Sequence, residues 1–162
     1  MLLGILSDTH EHIQNIEKGI ALFRERGVEQ IVHLGDYCAG PSVRAFKGTN
    51  ITGILGNNDG DHLRIEKNFR EIGGDFRWEF CVLECDGLRI ACYHGTVPEI
   101  TEALILCKQY DVVLCGHTHE KRHETIGGVL VINPGSAHGF EKKGTVAILD
   151  TSNRKAEMVE LL

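Results

Sequence analysis

The chain of 162 residues is 42% hydrophobic and 25% charged, an ordinary globular composition that is long enough to bury one core and excludes a disordered chain. Its formal charge of -6 argues against a broad basic surface for nucleic acid, and no apolar run approaches the ~18 residues of a spanning helix. The expectation is a single cytoplasmic domain over residues 1–162, with no membrane and no stable nucleic-acid partner, and with a homo-oligomer left open.

Leu2 to Leu6 is an apolar run short enough for one buried strand, and it stops at Ser7-Asp8-Thr9-His10. Residues two apart in extended chain point to the same side, so Asp8 and His10 would converge at the strand's end as half of a metal site. From Glu11 to Arg26, the residues Ile13, Ile16, Ile20 and Phe23 recur at spacings of three and four, the stripe of an amphipathic helix, and Gly27 is its natural stop. A second strand through Leu34 runs into Gly35-Asp36. Strand, helix and strand in succession predict a βαβ unit with a parallel pair.

A short helical piece near Pro41 to Phe46 leads to a third strand, Ile51 to Leu55, which runs into Gly56-Asn57-Asn58-Asp59. Asp61 to Ile72 reads as a charged helix with Leu63, Ile65 and Phe69 facing inward, ended by Gly73-Gly74. Phe80 to Glu84 and Leu88 to Tyr93, joined across Asp86-Gly87, form the clearest hairpin signal, and the second of them ends at His94.

Pro98 to Gln109 fits a helix with proline in its first turn and with Leu104 and Ile105 inside. Asp111 to Cys115 then runs as a strand into Gly116-His117-Thr118-His119. Further hairpins are predicted around Gly127-Gly128 and across Ser152-Asn153, with two sheets, one for each half of the chain. Cys38, Cys81, Cys85, Cys92, Cys107 and Cys115 include no Cys-x-x-Cys pair and stand mostly in apolar stretches, so they are read as small buried hydrophobes.

Five apolar runs thus each end in a metal-ligand residue type, four of them beside a glycine that lets backbone come close. The ordered set Asp8-x-His10, Gly35-Asp36, Gly56-Asn57, His94 and Gly116-His117-x-His119 resembles the calcineurin-like metallophosphoesterases. The short length and Asn133-Pro134-Gly135-Ser136 are similar to the small YfcE-type phosphodiesterases among them. The resemblance runs from Leu2 to about Leu149, and it implies a four-layer αββα sandwich of two mixed sheets flanked by helices.

The same resemblance implies two divalent metals. One would be held by Asp8, His10, Asp36 and His119, the other by Asp36, Asn57, His94 and His117, with Asp36 bridging. Ligand chemistry agrees, because Asp36 offers two oxygens, Asn57 a neutral one, and imidazole with oxygen and no thiolate suits manganese first, or nickel, iron, zinc or cobalt, better than calcium or magnesium. The implied reaction is hydrolysis of a small or activated phosphodiester by a metal-bridging hydroxide, with Asp36, Asn58 and Asp59 as catalytic residues. A phosphatase or nucleotide pyrophosphatase on the same fold, or a scaffold like the retromer small subunit, is the alternative.

Many members carry histidine where this chain has Asn58. Asparagine donates a hydrogen bond but delivers no proton, so strong activity on poor leaving groups is in doubt, and His138 is a candidate substitute contact for the phosphate. His33 is expected to be structural, and His12 and His123 solvated.

Overall fold

The structure is a computed structural model and describes residues 1–140 and 142–162. Strand β1 (Leu2–Leu6) is followed by helix α1 (Ile13–Glu25), β2 (Gln30–His33), the short α2 (Gly40–Val43) with a 3-10 turn at Arg44–Phe46, β3 (Ile51–Gly53), α3 (His62–Ile72) and β4 (Asp75–Phe76). The second half holds β5 (Phe80–Cys85), β6 (Leu88–Tyr93), α4 (Pro98–Leu106), β7 (Val112–Leu114), β8 (Lys121–Ile126), β9 (Val129–Pro134), β10 (Thr145–Asp150) and β11 (Lys155–Glu160). They form a six-stranded sheet in the order β11-β10-β1-β2-β3-β4 and a five-stranded sheet in the order β5-β6-β7-β9-β8.

Three apolar clusters fill the spaces between four layers. Ile16, Ile20 and Phe23 of α1 and Ile65 and Phe69 of α3 pack on one face of the first sheet, beside Leu6 and Ile31. Leu3, Ile5 and Val32 meet Ile90, Leu114 and Ile132 between the two sheets. Ile105 of α4 packs with Val113 and Val131 outside the second. Each such side chain is worth roughly 1.5–3 kcal/mol when fully buried, so the strands, covered on both faces, read as continuous apolar runs. The αββα sandwich expected from the resemblance is the fold observed.

Several local expectations differ from the structure. The last hairpin does not stay with its own half: β10 pairs antiparallel with β1, Leu2 opposite Asp150, and so covers the edge that the parallel β1-β2 pair leaves free. Leu63 is 72% exposed, because it lies two residues from Ile65, about 200° round the helix from the buried stripe Ile65, Asn68 and Phe69. Ile13 is likewise exposed at the first turn of α1, and α4 ends at Leu106 rather than Gln109. Strand β4, two residues long, carried no periodic signal. Cys107 is exposed and Cys38 half-buried, while the other four cysteines are buried as expected.

Parallel neighbours β1, β2 and β3 in one sheet, and β6 and β7 in the other, end at the same side of the sandwich. That arrangement brings together the loops that follow them, the usual place for a site in open parallel sheets.

Candidate metal centre

Each loop after a parallel strand delivers part of one cluster. Asp8 and His10 follow β1, Asp36 follows β2, Asn57 and Asn58 follow β3, His94 follows β6, and His117 and His119 follow β7. Asp8, His10, Asp36, His117 and His119 are five of the twelve non-glycine residues in the left-handed region among the described residues. Such conformations cost of order 1 kcal/mol each and persist where side chains must be aimed.

The close approach also needs residues with no side chain. A Cβ on Gly56 would stand 2.2 Å from Asp36 Oδ1, and one on Gly116 would stand 2.0 Å from Ser7 Oγ and 2.8 Å from Asp8 Oδ2.

Ligand atoms of Asp8, His10, Asp36 and His119 all lie within 4.8 Å of one another. Asp8 is fully buried, and its Oδ2 accepts the His117 backbone N–H at 3.1 Å. Its Oδ1 has no hydrogen bond among the described residues, although His119 Nε2 stands 3.2 Å away. His10 Nε2, 3.5 Å from Asp36 Oδ2, is also buried without a hydrogen bond. A buried carboxylate oxygen and a buried imidazole nitrogen left unpaired would each cost about 1–3 kcal/mol or more, a cost that a cation between them removes. The donor set therefore fits a divalent metal.

The neighbouring group is made by Asn57, His94 and His117. His94 donates Nδ1–H to the Leu34 carbonyl at 2.7 Å, which leaves Nε2 facing Asn57 Oδ1 at 3.1 Å and Asp36 Oδ1 at 3.5 Å. A neutral His94 would set its Nε2 lone pair against two oxygens, so this nitrogen calls for a proton or a cation. Burial pulls the His94 pKa down, but the Asp36 and Asp8 carboxylates outweigh it and raise it. The His117 ring lies edge-on to His94 at 5.3 Å. Asp36 thus touches both groups.

Asn58 donates its backbone N–H to Asp36 Oδ1 at 2.9 Å and its side-chain amide to Oδ2 at 2.8 Å. Among the described residues, Asp59 hydrogen-bonds only to backbone. Its carboxylate is 3% exposed and accepts the backbone N–H groups of Asp36 at 2.9 Å, Gly56 at 2.7 Å and Cys38 at 2.8 Å. It ties the loop after β2 to the loop after β3.

Residues without a ligand-type signal complete the support. Ser136 donates to the Asp8 carbonyl at 2.9 Å, and Asn133 donates to the Gly116 carbonyl at 2.7 Å, both from the Asn-Pro-Gly-Ser run quoted above. His138 donates its backbone N–H to the Asp8 carbonyl at 3.1 Å, and its ring lies 6.2 Å from that of His10. Phe140, half exposed, stacks on His119 at 4.9 Å, a neighbour that its position in the sequence did not suggest. His123 is exposed, whereas His12 caps α1 by accepting the Asn15 N–H at 3.2 Å.

His33 is fully buried and structural. Its Nδ1 accepts the Gly35 N–H at 3.1 Å, so Nε2–H is donated to Thr9 Oγ1 at 3.0 Å, and one ring pins both metal-site loops. Burial, with His94 and His10 adding to it against Asp36, holds its pKa well below the ordinary 6.5. The unfolded chain then takes up a proton that the native state resists, so the His33 contribution is complete above pH 6.5 and is lost as pH falls below it. Wild type should therefore lose more stability than His33→Gln between about pH 8 and about pH 5, read as the difference in urea midpoints. A difference that stays constant would mean that His33 is not held neutral.

Comparison with known proteins places the chain in a family. The family described as "Calcineurin-like phosphoesterase superfamily domain" matches residues 1–154. Phosphodiesterase MJ0936 of Methanocaldococcus jannaschii is 36% identical over 165 residues, covering 99% of each chain. A solved structure of a novel archaeal phosphodiesterase superposes with a TM-score of 0.94 at 36% identity, over 99% of this chain and 100% of that one. YfcE, a phosphoesterase from E. coli, shares the fold with a TM-score of 0.72 at 19% identity, over 100% of both chains.

Proposed function

The chain belongs to the calcineurin-like phosphoesterase superfamily, and on that premise we propose that it is a binuclear metal-dependent phosphodiesterase acting on a small or activated phosphodiester. The observation that carries the reading is the buried Asp8 Oδ1 and His10 Nε2, without a hydrogen bond among the described residues, beside Asp36, whose two oxygens face different groups of ligands. Similarity to a phosphodiesterase over 99% of the chain supports the substrate class.

Asp8, His10, Asp36 and His119 would hold one divalent transition metal, and Asp36, Asn57, His94 and His117 the other, with manganese the first candidate. Bound there, two such cations supply Lewis-acid charge at the phosphoryl oxygens and a water acidified toward neutral pH. The protein's own part is to hold that pair in register. Asp59 fixes the Asp36 backbone, Leu34 fixes the His94 tautomer, and Asn58 holds both Asp36 oxygens. Six free cysteines among the described residues suit a reducing cytoplasm, and no helix is long and apolar enough to cross a membrane.

Asn58 offers an amide and no transferable proton where the leaving group would depart. Rates should therefore fall steeply as leaving-group pKa rises, since a positioned general acid contributes about 10²–10⁴-fold, and mostly where the leaving group needs it. A series running from nitrophenyl to alkyl esters of one phosphodiester tests this. A flat series would contradict it.

A further inference from the structure

We propose that Cys38 is a positioning residue for His10, its sulfur accepting the imidazole Nδ1–H so that Nε2 is presented to the metal cluster. The inference rests on the metal reading above. His10 Nδ1 lies 3.2 Å from Cys38 Sγ, while the opposite ring nitrogen faces Asp36 Oδ2 at 3.5 Å and Asp8 Oδ1 at 3.9 Å with no hydrogen bond among the described residues. An imidazole nitrogen that takes a cation must leave its proton on the other nitrogen, and here that nitrogen meets sulfur.

The position of Cys38 is itself constrained. Its φ of 67° lies in the left-handed region that cysteine rarely adopts, and its N–H is held at 2.8 Å by Asp59 Oδ1, the carboxylate that also holds Asp36. One buried group thus fixes both a metal ligand and the residue that orients another ligand.

His94 provides the internal comparison. Its Nδ1–H goes to a carbonyl oxygen at 2.7 Å, the kind of partner that ligating histidines ordinarily have. Sulfur is a weaker acceptor, so His10 is held by the softer of the two supports. An oxygen acceptor at position 38 should replace it. Asparagine supplies one and tolerates the left-handed backbone.

Zinc alone is the probe, titrated by chelator competition into metal-free wild type, Cys38→Ala and Cys38→Asn, with long-range ¹H–¹⁵N spectra of the zinc-loaded proteins. Wild type should show His10 protonated at Nδ1. Cys38→Ala should weaken one zinc equivalent about 10–100-fold and leave the other unchanged, and Cys38→Asn should recover most of the loss. Unchanged zinc affinity in Cys38→Ala, or equal loss in both variants, would overturn the inference while leaving the metal reading intact. A wild-type His10 protonated at Nε2 would overturn it even if Cys38→Ala failed to fold. If wild type bound no zinc, the metal reading would fall, and the inference with it.

Discussion

Asp36→Asn is expected to lower phosphodiester hydrolysis by at least about 10³-fold, roughly 4 kcal/mol of barrier. The residue is 1% exposed, and both of its oxygens are in use. Oδ1 takes the Asn58 N–H and faces His94, while Oδ2 takes the Asn58 amide and faces His10. Burial alone would push the carboxyl up, but hydrogen bonds from His94 and Asn58 outweigh it and hold the group well below the ordinary carboxylate range. Asp36 is therefore charged throughout the working pH range. Asparagine keeps the shape, removes the charge, and sets an NH₂ against one of the two Asn58 donors. Metal analysis should show at most one equivalent retained. Two equivalents bound with activity preserved would exclude a bridging role.

Asp59→Ala is expected to damage the fold rather than one chemical step. Three backbone N–H groups converge on its carboxylate, and alanine would leave them without an acceptor in a region closed to solvent. At about 1–3 kcal/mol for each unsatisfied buried donor, partly relieved by water entry, the cost should be roughly 3–5 kcal/mol. Urea unfolding of the metal-free protein reads this directly. Asp59→Asn keeps one oxygen acceptor and should recover part of the loss. If Asp59→Ala matched wild type in stability and lost only activity, the residue would be a chemical participant and not a clamp.

Much of the architecture was legible because the two halves of the chain announce themselves differently. Apolar runs ending in Asp8, Asp36, Asn57, His94 and His117 carried both the strands and the site, since a parallel strand buried on both faces is a short continuous apolar segment whose end is free to carry chemistry. The return of β10 to the edge of β1 was not legible. Nothing in Thr145 to Asp150 distinguishes one sheet edge from another, and the pairing is decided by which edge is open. Leu63 is apolar yet stands off the inward stripe of its helix, a stripe that includes the polar Asn68.

Within the site, residue types known as ligands were readable and their supports were not. Asp59 was expected among the catalytic residues, and its oxygens are taken by amides from two loops, a convergence that exists only once β2 and β3 lie side by side. Cys38, read as a small buried hydrophobe, and His33, expected to be structural, give no sign of their partners for a similar reason. Each meets its partner across some two dozen residues of chain, through contacts with no sequence signature.

Whether this cluster is a metal centre for phosphodiester hydrolysis can be decided by one titration. Metal-free protein is assayed on an aryl phosphodiester such as bis(4-nitrophenyl) phosphate while manganese is added in known equivalents. There should be no hydrolysis without metal, then a rise that saturates near two equivalents per chain, with Asp36→Asn silent throughout. Hydrolysis that is independent of metal, or its absence with manganese, nickel, iron, zinc and cobalt alike, would contradict it.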